Sequence, residues 1–161
     1  METSVIINEF KKSWNFIRGM TYEFIDSVPA DKWFFTFSEK HSPLCKQFRH
    51  MVWISGLYND ALKNRKIDLS KKKTFYDGNL NKSDIVTALK QKDVELESIL
   101  EDLKSTKLDS FSMEFFGTTI GFTEFCDVII QHESIHQGLW SAYATLAEFE
   151  TPKNWKNSWA L

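Results

Sequence analysis

No apolar run in this 161-residue chain is long enough to span a bilayer. The opening METSVIINEFKKSW has no basic segment followed by an apolar one, so no signal peptide is expected. Neither sign of charge dominates: 20 basic against 22 acidic residues leave a net charge of -2, with no general pull towards nucleic acid or an anionic membrane. Cysteine is scarce. Cys45 and Cys126 both fall in predicted helices and form no CxxC pair, so two buried, reduced thiols in a cytoplasmic protein are expected. Internal repeats and low-complexity segments are missing too. What remains is the length of one domain, residues 1–161, with ordinary apolar content but 14 Phe and 6 Trp.

Hydrophobic spacing divides the chain into four helical stretches. The first runs from about Thr3 to Asp26, with Ile6, Phe10, Trp14, Ile17, Thr21 and Phe24 on one stripe and Pro29 closing it. The aromatic connection at 30–42, holding Trp33, Phe34, Phe35 and Phe37, reads as a lid over one end of a bundle or as a substrate-contacting wall. Ser42-Pro43 opens a second helix that reaches about Leu62. Within it, His50 shares a row with Ile54, Leu57 and Ala61 at the edge of the inward face.

Residues 63–81 form a long polar connection, basic over 63–73. It reads as a solvated loop joining helices that are not sequential antiparallel neighbours, rather than as an anion or nucleic-acid patch. A third helix follows from near Asn81 to about Lys104. Residues 108–122 break the helical period, and Phe116-Gly117-Thr118 reads as the turn of a short hairpin. The last helix spans 123–149, with Thr123 as its cap. Thr151-Pro152 ends it, and a tail with Trp155, Trp159 and Leu161 is expected to fold back. The fold class is therefore all-α, a four-helix bundle with long crossover connections and a short β-hairpin before the last helix.

The last helix is where the chemistry gathers. Phe125, Ile129, His132, His136, Leu139, Tyr143 and Leu146 recur at three- and four-residue steps, so two histidines stand one turn apart where leucines would be ordinary. His132-Glu133-Ser134-Ile135-His136 matches HExxH. The metzincin extension, however, needs glycine at 139 and histidine at 142, where this chain has Leu139 and Ala142, and no glutamate follows on a further helix. A di-iron bundle needs Glu-x-x-His twice. Here Glu133-x-x-His136 occurs once, and Gln47 stands three residues before His50. A mononuclear site of His50, His132 and His136 survives, with a position open for water or another ligand. Such an ion lowers the pKa of a water or thiol that it binds. Glu133 projects to the side of the ligand face, as a supporting hydrogen-bond partner, a proton shuttle or an exposed helix carboxylate.

One histidine early in the second helix, His132-Glu133-x-x-His136-Gln137-Gly138 in the last, and a terminal Pro and Trp segment resemble the DinB/YfiT-like family over essentially the whole chain. Where family members often read His-Arg-Gly-Gln, this chain reads His136-Gln137-Gly138-Leu139. The resemblance implies a four-helix bundle holding a divalent metal, nickel or zinc, on His50, His132 and His136. It also implies a metal-dependent enzyme: an S-transferase joining a low-molecular-weight thiol to a small electrophile, or a hydrolase. A non-catalytic metal-binding bundle is the contrasting expectation. No nucleic-acid or membrane partner is expected, and the aromatic content is compatible with a homodimer.

Overall fold

The computed structural model describes residues 2–159. Five α-helices and one hairpin, joined by connections with three short 3-10 helices, make up the regular structure among them: α1 (Thr3–Ser27), α2 (Leu44–Asn64), α3 (Lys82–Leu103), β1 (Met113–Phe115), β2 (Thr118–Ile120), α4 (Phe122–Leu146) and α5 (Lys153–Trp159). Leu161 lies outside the described residues.

The buried side chains fall into two apolar clusters, one towards each end of the bundle. The first takes Ile7 to Ile17 of α1, Ile54 to Leu62 of α2, Leu96 to Leu103 of α3, and Phe122 to Ile129 of α4. The second takes Met20 to Ile25 of α1, Leu44 to Val52 of α2, Ile85 to Leu89 of α3, and Trp140 to Ala144 of α4. Helices α1 and α4 thus run from the first cluster to the second, while α2 and α3 run the other way. This up-down-down-up order makes α2 and α3 parallel neighbours, so the chain must travel the length of a helix between them. The 65–81 crossover does so with a 3-10 turn at Leu69–Phe75. It lies on α2, where Phe75 approaches so closely that a Cβ on Gly56 would fall 2.6 Å from it. Trp53 Nε1 also donates to the Tyr76 carbonyl at 2.8 Å.

Two of the helix starts differ from the local sequence signals by one or two residues. Pro43 is the N-cap of α2 rather than its first helical residue. Gly121, not Thr123, caps α4, and the Glu124 side chain accepts from the Gly121 N–H at 2.7 Å. Asn81 caps α3, accepting from the Asp84 N–H at 2.8 Å. The hairpin is present as expected. Phe116 (φ 49°) and Gly117 (φ 82°) occupy the two left-handed positions of a tight turn, and Phe115 pairs with Thr118.

Aromatic residues close the second cluster. Trp33 stacks on Phe48 at 5.2 Å and donates to the Leu80 carbonyl, while Phe37 lies 4.7 Å from the Tyr143 ring. Residues 33–37 therefore cover one end of the bundle, except Phe34, which is exposed. The tail folds back as a helix of its own. Trp155 is buried, 4.8 Å from Phe24, with its Nε1 donating to the Met20 carbonyl at 2.9 Å. Trp159 rests against Phe16 and stays half-exposed. Leu146, expected on the inward stripe of α4, is exposed, because the helix buries Trp140, Tyr143, Ala144 and Ala147 at that end.

Both cysteines are buried free thiols, and burial pushes each thiol above its ordinary value. A raised pKa leaves less thiolate at a given pH, so the native protein should resist aromatic disulfide reagents at pH 8 and expose two reactive thiols once unfolded in guanidinium. Trp155→Ala should lower stability in urea by about 3–5 kcal/mol. The surface change Trp159→Ala should stay within roughly 0.5 kcal/mol.

Candidate metal centre

A polar layer separates the two apolar clusters, and each of the four long helices contributes to it. Arg18 of α1 is 3 % exposed and is the hub. Its Nη2 donates to Ser55 Oγ of α2 at 2.7 Å, its Nε pairs with Asp93 Oδ1 of α3 at 3.2 Å, and its Nη1 with Glu133 Oε1 of α4 at 3.2 Å. Its guanidinium also lies 4.3 Å over the Trp14 ring. Burial opposes the charge on Arg18, yet Glu133 and Asp93 hold the guanidinium above its ordinary value. Burial likewise raises both carboxyls, against the pull of Arg18.

Glu133 is therefore not the exposed carboxylate that its position beside the ligands allowed. It is 1 % exposed and accepts from Thr21 Oγ1 of α1. Gln137, one turn on, donates from Nε2 to the Ile17 carbonyl at 2.7 Å and to Thr21 Oγ1 at 3.0 Å. On a helix these two residues lie about 100° around the axis from His132 and His136. One side of α4 is tied to α1, which leaves the adjoining side, with its two histidines, facing α2. Sequence spacing placed the histidines at the centre of the inward stripe. The structure puts Glu133 and Gln137 deepest and the histidines at the edge, half-buried.

His50 of α2 meets them there. Ring centroids are 5.4 Å apart for His50–His132, 4.9 Å for His50–His136 and 4.9 Å for His132–His136. One nitrogen from each ring can be chosen so that all three lie within 4.8 Å of one another. His50 Nε2 and His132 Nε2 are 3.2 Å apart. Two nitrogens on one tetrahedral ion at ordinary zinc–imidazole lengths stand about 3.3 Å apart, so this pair already has the spacing of two ligands. The donor set fits a divalent transition metal. Among the described residues, the cluster suited to an ion consists of these three imidazoles and includes no carboxylate.

Tyr58 lies among the buried apolar residues of α2. Its hydroxyl lies 2.8 Å from His132 Nδ1, and its ring meets Phe125 edge-on at 5.5 Å. Phe125 in turn touches Phe115 of the hairpin at 6.1 Å. Of the aromatic residues of 111–116, Phe115 thus connects to His132 through Phe125 and Tyr58.

A four-helix bundle of up-down-down-up order, with three histidines converging between its second and fourth helices, defines the class. Its fold is DinB-like. The chain is similar to the crystal structure of a DinB-like protein of Bacillus subtilis, YjoA, with a TM-score of 0.66 over 89 % of this chain and 95 % of that one, at 19 % identity. No family model and no curated protein matches the sequence.

Removing Arg18 would leave two carboxylates in the polar layer without their shared cation. Arg18→Met should therefore destabilise the protein by about 3–5 kcal/mol in urea. Lys12→Met, on an exposed pair with Glu9, should change stability by well under about 1 kcal/mol.

Proposed function

We propose that this chain is a mononuclear metal-dependent enzyme that joins a low-molecular-weight thiol to a small electrophile. Nickel or zinc would be held by His50, His132 and His136. The observation that carries the reading is the convergence of three imidazoles with two Nε2 atoms 3.2 Å apart. Three neutral ligands leave the charge of a dication uncancelled, which favours an anionic fourth ligand. A bound ion would supply the Lewis acidity that lowers a thiol's pKa into the neutral range, and nickel and zinc both accept sulfur donors.

The transferase reading is favoured over a HExxH-type hydrolase by the orientation of Glu133. In that mechanism the glutamate is the base beside the bound water. Here Glu133 accepts from Thr21 and pairs with Arg18, on the side of α4 that faces α1. We assign it a positioning role, holding α4 in the rotation that presents its histidines to α2. The resemblance to DinB/YfiT-like proteins, some of which are thiol-dependent transferases, supports the same choice. Homodimerisation belongs to this proposal, and light scattering of the purified protein reads it.

Elemental analysis of untagged protein should find one equivalent of nickel or zinc, lost in His132→Ala. Loaded protein should conjugate bacterial thiols to small electrophiles in a screen in which the metal-free form is inactive. Affinity should weaken as pH falls below about 6.5, because protons compete for the ligand nitrogens. Protein that carries no metal and takes none up on titration overturns the proposal.

A further inference from the structure

We propose that Tyr58 is a positioning residue for the metal centre, selecting the tautomer of His132 that presents Nε2 to the ion. The inference rests on the three-histidine reading above and names a residue which that reading does not require. A neutral imidazole carries one proton on one of two nitrogens, and the nitrogen that binds a metal must be bare. In His132, Nε2 faces His50 Nε2 at 3.2 Å, while Nδ1 faces the Tyr58 hydroxyl at 2.8 Å. A hydroxyl oxygen can accept from Nδ1–H, and doing so leaves Nε2 bare towards the ligand cluster.

The partner is rigidly held. Tyr58 stands eight residues after His50 on α2, just over two helical turns on and about 80° further round the axis. One helix therefore supplies both a ligand and the group that orients a second ligand on α4. Tyr58 is 8 % exposed, and its ring is wedged edge-on against Phe125 and against His132 itself, at 5.5 and 5.8 Å. Accepting from Nδ1 turns the phenol's own hydrogen elsewhere. Tyr58 also lines a small cavity of about 10 Å³ with Ser55, Asn59 and Asp93, at the lower limit of the space that one water needs.

Two measurements separate this role from simple packing. The first is competition for zinc between a chromogenic chelator and either the wild type or Tyr58→Phe, which keeps the ring and removes the hydroxyl. Affinity should fall 10- to 100-fold, the usual range for losing such a partner. Urea unfolding of the metal-free variant checks that its fold is intact. Equal affinities within about twofold overturn the inference while leaving the three-histidine site standing. Wild-type protein that takes up no zinc overturns both. The second measurement needs no variant. Nitrogen NMR of zinc-loaded wild type should show His132 bound through Nε2 with a slowly exchanging proton on Nδ1; coordination through Nδ1 overturns the inference.

Discussion

The guanidinium of Arg18 is the interaction on which the arrangement of the bundle depends. A charge this deeply buried is held by one hydrogen bond to Ser55 of α2, ion pairs with Asp93 of α3 and Glu133 of α4, and the Trp14 ring of its own helix. Apolar contacts are non-directional, and two Leu- and Phe-rich clusters could slide or rotate against one another at modest cost. A planar cation with three polar partners on three other helices allows far less freedom. The layer therefore sets the relative heights of the four helices, and the apolar clusters above and below it supply the bulk of the stabilisation.

The same layer orients the candidate metal centre. His132 and His136 are each followed by a residue that binds α1, Glu133 through Thr21 and Arg18, Gln137 through the Ile17 carbonyl and Thr21. With α4 anchored at two successive turns, its rotation is set, and the histidines one residue earlier face His50. A metal site needs donor atoms held to within fractions of an ångström. Here that precision comes from hydrogen bonds on a neighbouring face of the same helix rather than from the ligands alone. The aromatic residues do a different job. Trp33, Phe37 and Trp155 close the second cluster, while Phe115, Phe125 and Tyr58 form a packed path from the hairpin to His132.

Much of this was legible in the linear chain because it follows from local rules. Helical periodicity located the four long helices to within a few residues. The phrase Phe116-Gly117 marked the hairpin turn, since its two left-handed positions suit glycine at one of them. The pair His132 and His136 announced itself by standing one turn apart on an otherwise apolar stripe, and His50 by its place on the edge of a second inward row. The caps were read less accurately: Gly121 rather than Thr123 caps α4, with Glu124 answering its N–H, and Pro43 rather than Ser42 is the N-cap of α2.

The sequence by itself determined which four long stretches are helical, that they must pack as a bundle, and which imidazoles were candidates to share an ion. Those properties depend on spacing within one helix, and spacing is written in the chain. The long 63–81 connection already implied that α2 and α3 are not antiparallel neighbours, whereas only the tertiary structure decided that Glu133 and Gln137 face inward against α1. It also decided that Arg18 is buried at their meeting point and that Tyr58 touches His132. Each of these depends on which surfaces of different helices meet. The physical reason is that a polar residue on a helix flank reads the same in sequence whether water or a buried partner satisfies it, and only the neighbouring helix decides between the two.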